Sequence, residues 1–146
     1  MIAACMHKVV IDTNVLFEGL TKQGSAAGFV IEAWATGLLQ VYVSTALAYE
    51  YEDVLVRKLS ANRWQVLSHN LAALLNLTDF VNIYYSWRPS SPDPGDDFVI
   101  DCAMNAGAIV VTSNVRDFRK AQSALGLRVL TPVELIIQLA SEGDPL

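Results

Sequence analysis

The sequence predicts an α/β fold: one parallel sheet of about five strands, with helices on both faces. Two observations carry this. Short apolar runs, such as Val9-Val10-Ile11 and Ile109-Val110-Val111, alternate with longer segments whose apolar residues recur at helical spacing. That is the pattern of strand–helix–strand units around a sheet buried on both sides. The 146 residues also contain no repeat, no low-complexity tract and no composition break that would mark a linker. A single domain over 1–146 is therefore expected, with its core over about 8–140.

Lys8-Val9-Val10-Ile11 reads as a first, buried strand ending on Asp12. Thr13 to Leu20 follows as a short helix, and Thr21 to Ser25 as a polar turn. Ser25 caps a helix over Ala26 to Thr36, with Phe29, Val30, Ala33 and Trp34 on its apolar side and Gly37 at its end. Val41-Tyr42-Val43 is the second strand. Ser44 then caps a helix running to about Leu59, and Ser60 starts another with Trp64, Leu67, Leu71, Leu74 and Leu75 at helical spacing. Val81 to Tyr85 is expected as a third strand. Ser86 to Gly95, with Pro89, Pro92 and Pro94, is the clearest loop, and it holds Asp96 and Asp97 at the mouth of the next helix. That helix, Phe98 to Ala106, places Val99, Cys102, Ala103 and Ala106 on one face. Ile109 to Thr112 forms a fourth strand, a short helix spans about Phe118 to Leu125, and Arg128 to Leu130 is the last strand. Thr131-Pro132-Val133-Glu134 opens the final helix as a capping box with proline at its first position.

Apolar residues make up 53% of the chain and charged residues 17%, where about a quarter charged is usual. This suits a compact core, with apolar surface left over for a partner. No apolar run reaches the roughly eighteen residues of a spanning helix, and MIAACMHK lacks the apolar stretch of a signal peptide. Cys5 and Cys102 are too few for a disulfide framework and have no paired metal-ligand spacing. A cytoplasmic protein is expected. The net charge of −5 argues against binding nucleic acid through bulk positive charge. Once Asp12, Glu50, Asp96 and Asp117 are set aside, however, ten basic residues face eleven acidic ones. Six of the ten cations cluster in two runs, Arg57, Lys58 and Arg63, then Arg116, Arg119 and Lys120. Such runs are ordinarily solvated surface, and only the second adjoins a candidate acid.

Those four acids stand where a strand hands over to a helix, or on a helix that can face such a point: Asp12 in VVIDTNVL, Glu50 in STALAYEYEDVL, Asp96 in DPGDDFVIDCA and Asp117 in VVTSNVRDF. Ligands of parallel sheets bind beyond the carboxyl ends of the strands, near the reversal of strand order. Carboxylates gathered there repel one another, and Mg²⁺ or Mn²⁺, which prefer oxygen donors, are the natural counter-charge. Each acid also has a plain structural reading. Asp12 is a favoured N-cap; either Asp96 or Asp97 caps a helix whose N-terminus favours negative charge; Asp117 suits a surface turn. On the third helix Leu47, Tyr51, Val54 and Leu55 form the apolar stripe and Asp53 points outward. Glu50 and Glu52 flank the stripe on opposite sides, so periodicity leaves the choice between them open. Asp93 reads as turn chemistry before Pro94, and Asp101, opposite Val99 on the helix wheel, as solvent-facing. His7 is placed at a strand boundary and His69 on a polar face, with no nucleophile motif beside them. No P-loop and no G-x-G-x-x-G occurs.

In order and spacing these segments resemble the PIN-domain family, the nuclease fold of many bacterial toxin–antitoxin toxins, including the VapC-like ribonucleases. VVIDTNVLFEGL is similar to the family's opening strand with its Asp-Thr-Asn end, and STALAYEYEDVL to the segment bearing its helical glutamate. DPGDDFVIDCAMNAGAIVVTSNVRDF resembles the closing block, with an Asp-rich helix start and a Val-Thr strand end; RVLTPVELIIQL resembles the tail of the toxin-component subgroup. The likeness runs from about Val9 to Leu139. It implies a three-layer α/β/α PIN-like domain and a catalytic, metal-binding quartet of Asp12, Glu50, Asp96 and Asp117, with Glu50 preferred to Glu52. Matching Ala103 to the family's small residue seven positions after its aspartate sets the register at Asp96, with Asp97 the alternative. Many relatives have aspartate where this chain has Asn114. Others have asparagine there and aspartate three residues later, as here with Asp117. Asn14, Asp97, Thr112, Ser113 and Asn114 are supporting positions, Thr112 and Ser113 being placed to orient a water or phosphate.

The resemblance thus implies a Mg²⁺- or Mn²⁺-dependent endoribonuclease, an RNA substrate, a homodimer and an antitoxin encoded alongside. Activated water attacks phosphorus in line, so no protein nucleophile is needed. Arg116, Arg119 or Lys120 hold the RNA by phosphate contacts, which position a substrate without reading its bases. One rival is a catalytically silent PIN-like module that binds RNA or a protein, motivated by Asn114 and the acidic balance. An aspartyl-phosphate enzyme with Asp12 as nucleophile ranks below both, because the haloacid-dehalogenase pattern needs a second aspartate where Asn14 stands.

Overall fold

The computed structural model describes residues 7–86 and 94–142. Among these residues five strands form one sheet: β1 (His7–Ile11), β2 (Leu39–Val43), β3 (Asp79–Phe80), β4 (Ile109–Val111) and β5 (Val129–Leu130). All pair in parallel, in the order β3-β2-β1-β4-β5. Seven helices accompany them: α1 (Thr13–Thr21), α2 (Ala26–Ala35), α3 (Thr45–Lys58), α4 (Ala61–Asn76), α5 (Pro94–Ala106), α6 (Arg119–Leu125) and α7 (Pro132–Glu142), with a 3₁₀ turn over Val115–Phe118. This is the three-layer α/β/α fold. Val9, Val10 and Ile11 of β1, and Val110 and Val111 of β4, are all buried. Consecutive buried residues mean that both faces of the sheet are covered, which is why these strands read as continuous apolar runs.

Local chemistry starts the helices where the sequence says it should. Ser25, Ser44 and Ser60 each accept a hydrogen bond from the backbone N–H three residues on, at 3.0, 3.1 and 3.2 Å. The capping box at α7 closes in both directions: Thr131 N–H donates to Glu134 Oε1 at 2.9 Å, and Glu134 N–H to Thr131 Oγ1 at 3.1 Å. Gly126, at φ +71°, ends α6 in the left-handed conformation that favours glycine.

Three expectations about elements need correction. The third strand is Asp79–Phe80 rather than Val81 to Tyr85. β2 ends at Val43, and once Val81 N–H has donated to Val43 O at 2.9 Å no further partner exists for a longer edge strand. The β-prone residues Ile83, Tyr84 and Tyr85 run on without one; the Tyr84 and Tyr85 N–H groups donate instead to Asn105 Oδ1 on α5. Phe29 is exposed, because α2 buries Ala27, Val30, Ile31, Ala33 and Trp34. Finally, α5 begins at Pro94, so Asp96 and Asp97 lie inside its first turn rather than ahead of it. Most of the proline-rich loop, with Pro89, Pro92 and Asp93, lies outside the described residues, as does Cys5.

Candidate active site

Strand order reverses at β1, with β2 and β3 to one side and β4 and β5 to the other. Asp12 and Thr112 end β1 and β4, on either side of that reversal. Asp12 occupies the N-cap position of α1, but its side chain makes no capping hydrogen bond. Instead Thr112 Oγ1 donates to Asp12 Oδ2 at 2.7 Å, bridging the two strand ends. Thr112 Oγ1 accepts in turn from the Asn114 N–H at 3.0 Å, which leaves its one hydrogen for the carboxylate. Asp12 is 4% exposed and Thr112 0%. In so dry a place a charge-assisted bond counts for more than the same bond in water.

The chain of bonds continues outward. Asn114 Nδ2 donates to Asp117 Oδ2 at 2.8 Å, so Asp12 and Asp117 belong to one hydrogen-bonded series through Thr112 and Asn114. Asp117 is half-buried, while Asn14, Ser113, Arg116, Arg119 and Lys120 are exposed. Two members of the other basic run are engaged elsewhere: Arg57 Nε bonds Asp53 at 2.9 Å, and Lys58 Nζ lies 5.0 Å from the centre of the Phe17 ring.

α5 runs back from the carboxyl edge and packs against β1, β2, β4 and α3. It brings Asp96 and Asp97 in its first turn, both buried, where the helix N-terminus favours negative charge. It also brings Asp101, which the helix wheel assigned to solvent and which is 3% exposed. A helix wheel separates one buried face from one exposed face. Residues 99–103 are all buried because α5 is enclosed on several sides. A usable signal existed: Asp97 and Asp101 stand four apart on one helix face, a like-charge spacing that disfavours a helix unless something else requires it.

On α3 the apolar stripe falls as the sequence predicts, with Leu47, Tyr51, Val54 and Leu55 buried. Glu50 is half-buried, whereas Glu52 and Asp53 are exposed. Burial therefore separates two glutamates that periodicity could not. The Tyr51 phenol donates to the Ile11 carbonyl, directly before Asp12. Burial, first, and then Cys102 and Asp12 push its pKa well above the usual phenol value. The Cys102 thiol is pushed up to about 12, mainly by burial; Asp101 raises it further and a backbone bond with Ser44 lowers it. His69 is exposed, and His7 bonds Glu142 at the opposite edge of the sheet.

Among the described residues, no three His, Cys, Asp or Glu side chains are grouped as a ready-made metal cage. The donor set is nonetheless one that suits a hard cation, all of it oxygen. Mg²⁺ is commonly held by one or two carboxylates, with water and substrate phosphates completing its shell.

A family model described as a PIN domain matches residues 8–116. No curated protein matches the sequence significantly. Several solved structures share the fold. FitAB bound to an IR36 DNA fragment has a TM-score of 0.59 at 20% identity, covering 85% of this chain and 94% of that one. VapBC2 from Rickettsia felis, bound to a DNA fragment from their promoter, has a TM-score of 0.61 at 13% identity, covering 85% and 98%. FitAcB from Neisseria gonorrhoeae has a TM-score of 0.62 at 22% identity, covering 86% and 98%.

Proposed function

The chain belongs to the PIN-domain family, and from that premise we propose that it is a metal-dependent endoribonuclease, the toxin component of a toxin–antitoxin pair. The reading rests above all on Asp12: a buried carboxylate at the reversal of strand order that caps no helix and is held by Thr112 instead. Burying a carboxylate costs stability, so a fold that places one at its ligand-binding edge keeps it there for chemistry.

Asp12, Glu50, Asp96 and Asp117 are the side chains that would hold Mg²⁺ or Mn²⁺, with Asp97 the alternative to Asp96. Such an ion would supply Lewis-acid chemistry there, polarising the phosphodiester and lowering the pKa of a water so that its hydroxide form is available near neutral pH. The protein's own part is orientation. Thr112 selects one rotamer of Asp12, Asn114 steadies Asp117, and the start of α5 supports the charge of Asp96 and Asp97. Arg116, Arg119 and Lys120, exposed beside Asp117, take the phosphates on either side of the scissile bond. A small antitoxin and a second copy of the chain complete the assembly. No helix among the described residues is long and apolar enough to cross a membrane.

The test is cleavage of a fluorogenic RNA with Mn²⁺, run beside EDTA and an Asp12→Asn variant. Cleavage by wild type, lost in both controls, is the expected result. Folded wild type that binds RNA or a protein partner but cleaves nothing, with binding that survives Asp12→Asn, favours the silent module.

A further inference from the structure

We infer that Tyr51 is a positioning residue for Asp12 and Glu50: one phenol hydroxyl fixes both the peptide that carries Asp12 and the turn of α3 that carries Glu50. The inference rests on the nuclease reading above. It begins with a gap in the sheet. β1 pairs with β4 as far as Ile11↔Val111, but its pairing with β2 stops at Val9↔Val41. On the β2 side the chain has already turned at Ser44 to cap α3. The Ile11 carbonyl thus reaches the carboxyl edge beyond the β2 ladder, and a buried carbonyl left without a donor is costly. The Tyr51 hydroxyl supplies the donor.

The Ile11 C=O and the Asp12 N–H belong to one planar peptide unit. Its N–H donates to Val111 O at 2.9 Å and its C=O accepts from Tyr51, so the plane is held from the β4 side and from α3. With Thr112 on the carboxylate, both the backbone and the side chain of Asp12 are fixed. The same bond fixes α3 against the end of β1. Tyr51 is fully buried, and Glu50 is its neighbour in sequence, so the hydroxyl sets how far along the edge Glu50 stands. Phenylalanine would fill the same core volume; only the hydroxyl makes the bond.

The experiment compares wild type, Tyr51→Phe and Leu55→Ala. Mn²⁺ binding is measured without RNA by electron paramagnetic resonance, and RNA cleavage is measured at saturating Mn²⁺. Loss of an orienting partner of this kind weakens metal binding about tenfold or more. Tyr51→Phe is expected to show that loss together with a lower kcat and little change in KM. Leu55→Ala, which opens a cavity in the same stripe of α3, is expected to lower Tm while binding Mn²⁺ like wild type. Tyr51→Phe binding Mn²⁺ within twofold of wild type overturns the inference. So does Leu55→Ala losing as much affinity, because the role is then general packing. Folded wild type that binds no Mn²⁺ overturns the nuclease reading and this inference together, a result distinct from the other two.

Discussion

At the amino edge of the sheet His7 and Glu142 meet at 2.8 Å, with the Glu142 side chain 56% exposed. At the carboxyl edge Thr112 and Asp12 meet at 2.7 Å, and neither is more than 4% exposed. The distances are nearly equal and the consequences are not. Water competes for the first pair, and even a fully charged exposed pair contributes only roughly 0–1 kcal/mol. The second lies where a lost partner leaves a buried group unsatisfied, which costs about 1–3 kcal/mol. The fold spends stability at the edge where the ligand-binding position of a parallel sheet lies, and almost none at the other.

Four perturbations test that contrast. Asp12→Asn keeps shape and removes charge. RNA cleavage is expected to fall on the order of a hundred- to a thousandfold, with Tm unchanged or higher because like-charge repulsion is relieved. A thermal melt that drops by many degrees while cleavage persists would make Asp12 a structural residue. The next effect appears in alkali. The folded Cys102 pKa, about 12, lies above its ordinary value of 9.0, so the neutral thiol's stabilising contribution is full below pH 9 and is lost as pH rises towards 12. That is on the order of 4 kcal/mol across the window. Urea denaturation from pH 8 to 11 should show a decline that is shallower in Cys102→Ala.

Thr112→Val preserves volume and deletes the hydroxyl. It is expected to cost about 1–3 kcal/mol in urea unfolding and to slow cleavage, since Asp12 loses its orienting bond. An unchanged midpoint would mean that the buried bond is no stronger than a surface one. Glu142→Gln is the counterpart at the amino edge. Its unfolding free energy should change by less than about 1 kcal/mol, and by still less in high salt.

Much of this arrangement was legible because it is local. Ser25, Ser44, Ser60 and the Thr131–Glu134 box announce helix starts through bonds to residues three positions away. Asp12 at the end of an apolar strand reveals a sheet edge in the same way. What stayed hidden depends on contacts distant in sequence. Asp101 looked solvent-facing because a helix wheel cannot know that α5 is packed by three strands and α3. Ile83 to Tyr85 have the composition of a strand, yet β2 has ended before they could pair with it. Glu50 and Glu52 are equivalent by period, and only the packing of α3 makes one less exposed than the other. The link from Asn114 to Asp117 is short in sequence, but its connection to Asp12 spans 100 residues through Thr112.

The contact of His7 with Glu142 joins positions 135 residues apart, so the described chain from 7 to 142 comes close to a ring at the amino edge. A short linker could close that ring, and the turn at Gly24, where an added Cβ would meet nothing, offers a place to open it. Tolerated permutations usually fall at such exposed turns. The permuted chain would keep the same neighbours in space but bring Asp12 and Thr112 to within roughly forty residues of each other, lowering the contact order of that pairing. The separation of these two groups along the chain is thus an accident of where the ring is cut, and their meeting at the sheet edge is not.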